Sequence, residues 1–230
     1  MRTISPQPDV SSPQWRAVVC ARPLSVAKSR LRPLGEGVRQ ALALAMTQDV
    51  LEAAAGAPSV TEVVLVSDDP LLSQSACALG ALVLPDPGLG LNGAFLHGMD
   101  NGSAGHTWTA LLVADLPCLT SRALQRVLVT AARHDTAVVA DRRGTGTTLL
   151  TTAPGRLARP RFGDASFNRH VANGAEPVAA HEQHARCDVD TPADLGVALR
   201  IGVGPHTVEA VEDSGLDRVG SNTQLYRSTR

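Results

Sequence analysis

The strongest constraint on this chain is a series of short apolar runs, each of which stops on a chemically loaded turn. Trp15–Ala21 (WRAVVCA), Glu62–Ser67 (EVVLVS), Ala81–Leu84 and Thr109–Ala114 (TALLVA) are short for helices and rich in strand-forming residues. Between them lie segments with helical spacing. In Glu36–Ala55, apolar Val38, Leu42, Ala45, Met46 and Val50 recur close to a helical period, and Gly56 offers a stop. Asp69-Pro70 reads as a helix start and Gly80 as its stop; Asn92 is placed to cap a helix running towards Met99. Ser121–His134 predicts a helix, Thr136–Ala140 a strand, and Thr148–Thr152 a further extended run. Cys187–Leu195 (CDVDTPADL) reads as a strand end followed by a helix capped at Asp190 or Thr191. Such alternation predicts one α/β domain, with a mostly parallel sheet and helices on both faces. Right-handed crossovers then bring the carboxyl ends of the strands, where ligands collect, to one edge.

A length of 230 residues suits one such domain, expected over 15–204. Residues 1–14, rich in Ser and Pro, read as a disordered leader, and 205–230 as a loose polar tail. The 21 basic and 22 acidic side chains leave a net charge of −1, too balanced to hold nucleic acid or an anionic membrane. No apolar run approaches the roughly 18 residues of a membrane span. The cysteines, Cys20, Cys77, Cys118 and Cys187, form no CxxC pair; scattered in apolar surroundings, they suit reduced thiols and predict a cytoplasmic protein.

Chemistry concentrates after the predicted strands. Arg22, Lys28, Arg30 and Arg32 follow the first, and cations on a turn suit phosphate; the same segment also serves as a solvated basic loop. Asp115 ends the run at Thr109–Ala114, where it can hold magnesium beside nucleotide phosphates or simply cap a loop. Asp188 and Asp190, two apart, share a face if extended, where side-by-side carboxylates suit a cation; alternatively Asp190 caps the following helix, which leaves Asp188 unexplained. Gly144-Thr145-Gly146-Thr147 offers an anion both N–H and hydroxyl donors, or else only turns a hairpin. Gly163 and Ser166 open a segment that either presents a helix N-terminus to an anion or carries an ordinary cap. His170 reads as structural or solvent-exposed rather than catalytic, and no Ser-His-Asp arrangement is legible.

In order, AKSRL (Ala27–Leu31), GLN (Gly90–Asn92), ADLP (Ala114–Pro117), DRRGTGT (Asp141–Thr147), RFGDAS (Arg161–Ser166) and CDVDTPADL resemble the CofC/FbiD guanylyltransferases of coenzyme F-420 biosynthesis. The resemblance spans about Trp15–Thr207, and Gly202–Thr207 (GVGPHT) is most similar to the actinobacterial branch. It implies a single-domain, nucleotide-diphospho-sugar-transferase-like fold. It also implies condensation of GTP with phosphoenolpyruvate, or with 2-phospholactate or 3-phosphoglycerate, releasing pyrophosphate. By the same resemblance, Asp115, Asp188 and Asp190 hold Mg2+, and Lys28, with Arg30, faces the GTP phosphates. Asn92 touches the nucleoside, while Thr147, Gly163 and Ser166 hold the acid. Lys28 and Asp115 are the catalytic pair, and the product is handed to a downstream deazaflavin transferase. Two positions depart from many members: Arg22 stands where they carry Lys, and Thr148 where they carry Asn. A sugar-phosphate nucleotidyltransferase and a nucleotide-binding protein without turnover remain the competing readings on the residues alone.

Overall fold

A computed structural model of the chain describes residues 13–101, 107–156 and 159–216. The chain builds β1 (Trp15–Cys20), α1 (Glu36–Ala55), β2 (Val60–Val66), α2 (Pro70–Ala78), β3 (Leu82–Leu84), α3 (Gly90–Asp100), β4 (Trp108–Val113) and α4 (Ser121–Ala131). It continues through β5 (Thr136–Ala140), β6 (Thr147–Thr152), α5 (Ser166–Ala172), β7 (Glu176–Pro177), α6 (Pro192–Ile201) and α7 (Pro205–Asp213). The strands form one sheet in the order β3-β2-β1-β4-β6-β5-β7. β3, β2, β1 and β4 are mutually parallel, whereas β6 runs antiparallel to both β4 and β5. The sheet is thus the expected α/β type with a reversed strand inserted next to β4.

Strand periodicity divides the core. Trp15, Ala17 and Val19 of β1, with Leu65, Leu112 and Val139, pack under α1, α2 and α4. Val18 and Cys20, with Val64, Leu111, Val138 and Leu150, face α3 and the Phe162 ring. Both faces are therefore covered, which is why the central strands read as unbroken apolar runs. A third cluster joins Leu42 and Met46 of α1 to Leu31, Cys118, Cys187, Val189 and helices α6 and α7. It lies behind the loops at the carboxyl ends of the strands.

Three expectations need correction. Asn92 does not cap α3: the helix begins at Gly90, and the Asn92 amide bonds to the Phe162 backbone instead. Cys187–Asp190 is not a strand; one backbone bond, from Val189 N–H to the Asp115 carbonyl (3.0 Å), carries its contact with the end of β4. The tail expected to be loose from residue 205 instead opens with α7, whose Thr207 and Val211 are buried. Its cause is Asp49 of α1, which accepts the N–H groups of His206 and Thr207 (both 3.0 Å) at the start of α7. The leader, except residues 13 and 14, and the tail beyond residue 216 lie outside the described residues.

Docking α7 also depends on Gly204, because a Cβ there would overlap the Asp49 carboxylate. Asp49→Ala removes the acceptor of two N–H groups and is expected to lower unfolding free energy by about 2–4 kcal/mol. Urea denaturation measures it; a loss under about 0.5 kcal/mol would show that this clip contributes no stability.

Candidate active site

A cavity of about 640 Å3 opens at the carboxyl ends of the parallel strands. One of its walls is the loop after β1. Arg39 of α1, 1 % exposed, holds that loop from beneath: its guanidinium donates to the carbonyls of Leu24 (2.9 Å), Ser25 (3.0 Å) and Ala27. Asp69, the cap of α2, accepts the Leu24 N–H (2.8 Å). Lys28 then turns into the left-handed region (φ 52°, ψ 45°), a conformation that costs a side-chain-bearing residue about 1 kcal/mol and needs surrounding contacts to persist. The turn aims the Lys28 ammonium between two carboxylates. Nζ donates to Asp115 Oδ2 and to Asp190 Oδ1 (2.8 Å), and Arg30 lies 3.6 Å from Asp190 Oδ2. Burial works against the Lys28 charge, but the two carboxylates outweigh it and raise its pKa above the ordinary lysine value. Burial likewise works against the Asp190 charge; there the Lys28 ammonium prevails and lowers the pKa.

Asp115 and Asp190 therefore meet at one ammonium although 75 residues separate them in sequence, and Asp188 lines the same cavity. Among the described residues, no group of three or more His, Cys, Asp or Glu side chains stands at metal-ligating spacing; the Lys28 ammonium already lies between two of these acids. The donor set still fits a hard divalent cation. Among the described residues, Asp115 Oδ1 is buried without a hydrogen-bond partner. Asp188 is pushed up to about 7, chiefly by burial and further by the neighbouring carboxylates of Asp115, Asp141 and Asp190.

The opposite wall comes from the antiparallel half of the sheet. The turn between β5 and β6 is the hairpin expected, and it lines the cavity through Arg143, Thr145, Gly146 and Thr147. Asp141 accepts the Thr145 N–H (2.8 Å), and a Cβ on Gly146 would stand 2.8 Å from its Oδ2. Glycine is needed there for close approach. Gly163 (φ 117°) is needed for a different reason, since only glycine adopts that backbone freely. Gly163 and Ser166 both line the cavity; Ser166 is the first residue of α5, after a left-handed Ala165, and is not its cap.

Asn92 is absent from the cavity lining. Its Nδ2 donates to the Phe162 carbonyl (3.2 Å) and its Oδ1 accepts the Phe162 N–H (2.8 Å). Both ends of the amide are spent on holding the RFG segment. Sequence reasoning also missed Arg39, Asp141 and Asp194. Asp194 is buried at the start of α6, where it completes a capping box with Thr191 and accepts from Arg142 (3.2 Å) and Arg143 (3.1 Å). It ties the hairpin turn to the segment carrying Asp188 and Asp190. The T-x-x-D spacing from Thr191 signals the box; nothing local signals the arginine partners.

Arg39→Leu leaves three loop carbonyls without their donor. It is expected to cost about 3 kcal/mol and to expose the Lys28-Ser29 and Arg30-Leu31 bonds to trypsin, while far-ultraviolet dichroism is unchanged. Resistance to trypsin equal to wild type would show that Arg39 does not hold the loop.

The Desulfovibrio desulfuricans putative nucleotide-diphospho-sugar transferase shares this fold: TM-score 0.71, 17 % identity, covering 91 % of this chain and 99 % of that one. A Mycobacterium tuberculosis protein solved in complex with manganese is more distant, at TM-score 0.52 and 18 % identity over 83 % of this chain and all of that one. Curated relatives named phosphoenolpyruvate guanylyltransferase are similar in sequence. The Streptomyces scabiei protein is 45 % identical over 206 residues, 86 % of this chain and 95 % of its own. That of Geodermatophilus obscurus is 44 % identical over 84 % of this chain and 92 % of its own. The "Guanylyl transferase CofC like" family model matches residues 15–227, and the chain belongs to that family of nucleotidyltransferases.

Proposed function

We propose that this protein joins GTP to phosphoenolpyruvate, giving enolpyruvyl-diphospho-5'-guanosine and pyrophosphate. The observation that carries this reading is the facing of two walls across one cavity: Lys28 with Asp115, Asp188 and Asp190 on one side, and the Thr145–Thr147 turn with Gly163 and Ser166 on the other. The names of the curated relatives supply the acceptor and the base.

A phosphate oxygen of phosphoenolpyruvate attacks the α-phosphorus of GTP, and the bond to the bridging oxygen breaks as pyrophosphate leaves. The attacking oxygen is already anionic, so no general base is required. The obstacle is the approach of two polyanions, and fixed cations lower it. Lys28, Arg30 and Arg22 offer positive charge on the nucleotide side. Thr147, Gly163 and Ser166 hold the acid and fix its line of attack. Asp115, Asp188 and Asp190 would hold Mg2+, which when bound neutralises phosphate charge and polarises the α-phosphoryl group. The manganese-containing fold neighbour supports a divalent cation in this role. The Lys28 contacts with Asp115 and Asp190 keep this corner organised before the cation arrives.

Purified protein with GTP, Mg2+ and phosphoenolpyruvate is expected to release pyrophosphate. The downstream transferase and its deazaflavin acceptor are included to trap the labile product. Absence of GTP consumption with phosphoenolpyruvate, 2-phospholactate and 3-phosphoglycerate alike refutes the reading. Preference for a sugar phosphate replaces it with the sugar-phosphate alternative.

Asp115→Asn is expected to lower kcat by at least about 1,000-fold while its thermal unfolding stays close to wild type. Excess EDTA should abolish turnover, and added Mg2+ should restore it. Equal inactivity of wild type and Asp115→Asn, with GTP still bound, would mark a binding protein without turnover.

A further inference from the structure

We propose that His170 is a positioning residue for the acid side of the site: it fixes the Thr147 hydroxyl as a hydrogen-bond donor aimed at the bound anion. The proposal rests on the reading of Thr147 as a contact of the acidic substrate. His170 lies in α5, is 1 % exposed, and reaches both elements of the acid wall. The Arg161 backbone N–H lies 2.8 Å from its Nε2. A backbone N–H can only donate, so Nε2 must present its lone pair. A neutral imidazole then carries its single proton on Nδ1, and Nδ1 lies 2.9 Å from Thr147 Oγ1. The threonine oxygen is therefore the acceptor in that contact. Among the described residues the hydroxyl has no other hydrogen-bond partner, and Thr147 lines the cavity.

The opposite tautomer has the opposite consequence. With Nδ1 unprotonated, the threonine proton would go to the ring, and only oxygen lone pairs would face the cavity. Those repel a carboxylate or phosphate; an O–H attracts it. The choice of tautomer thus decides the sign of the Thr147 contribution, and the Arg161 N–H makes that choice.

The surroundings keep the ring neutral and in place. Burial, with Arg169 and Arg161 nearby, holds the His170 pKa down at about 4. Phe162 meets the ring edge-on with centroids 5.2 Å apart, and its other neighbour, Phe95, lies at 4.5 Å. Asn92 pins the Phe162 backbone from both sides, which fixes where the Arg161 N–H stands. The Phe167 N–H of α5 donates to the Thr145 carbonyl (3.1 Å), so helix, RFG segment and hairpin turn move as one piece.

Four variants separate the contacts. Thr147→Val deletes the hydroxyl. His170→Gln keeps an acceptor near the Nε2 position for the Arg161 N–H but loses the donor to Thr147. His170→Asn keeps a donor near the Nδ1 position but gives up the Arg161 contact. The fourth combines Thr147→Val with His170→Gln. Thr147→Val and His170→Gln are each expected to raise KM for phosphoenolpyruvate by about 10- to 100-fold, the loss of one hydrogen bond to a charged group. KM for GTP should stay within about twofold of wild type. The double variant should be no worse than the poorer single, because His170 acts only through the Thr147 hydroxyl. His170→Asn should recover most of the affinity.

Equal rises in both KM values, or losses that multiply in the double variant, overturn the proposal. Nitrogen-15 shifts of the His170 ring in the ligand-free protein give a readout independent of turnover. A protonated Nδ1 with a bare Nε2 is expected, and the reverse tautomer overturns the proposal. Should wild type consume none of the three acids, the proposed function fails, and the ring tautomer still decides the present inference.

Discussion

The site depends on one ammonium group standing between two carboxylates. Asp115 arrives at the end of β4, and Asp190 arrives on the irregular stretch before α6; left alone, they repel. Lys28 reconciles them, and it does so half-buried, where charges attract and repel more strongly than in water. Much of the surrounding architecture serves that placement. The left-handed turn at Lys28, the buried Leu31 behind it and the Arg39 guanidinium beneath the loop all restrict where the ammonium can go. The arrangement is also incomplete in a specific sense. Among the described residues Asp115 keeps one buried oxygen unpartnered, an acceptor position still open to a cation.

Much of this was legible in the sequence. A buried strand must discharge its polar residues at its ends, so Asp115 after TALLVA and the basic stretch after WRAVVCA could be assigned to the ligand edge. The Asp188/Asp190 pair was legible as adjacent carboxylates, but Asp190 could equally have been a helix cap, and the metal role came from the family resemblance. What stayed hidden depends on contacts between distant residues. Arg39 looks like any charge on an exposed helix face, yet it is buried because three loop carbonyls need a donor. Asn92 was legible as a polar residue near the site but not as a clamp, since its partner is 70 positions away. α7 was missed because its polar residues mask a docking determinant on α1, the Asp49 carboxylate. His170 could be read as structural or as solvent-exposed, and it is buried. What could not be seen was that Arg161 and Thr147 approach its two nitrogens from different elements.

Two halves of the sheet meet in the cavity under different rules. In the parallel half, each ligand-facing loop leads into a helix packed against the sheet, so altering a loop disturbs a crossover and the core beneath it. The reversed β6 exempts the other half. A hairpin turn is anchored at both ends by strands and supports no crossover helix. On the proposed reading the triphosphate is gripped by the first half and the acid by the second. On that reading the acceptor side can be recut at a single hairpin and the short segment clasped to it, without disturbing a crossover or the core beneath the nucleotide side.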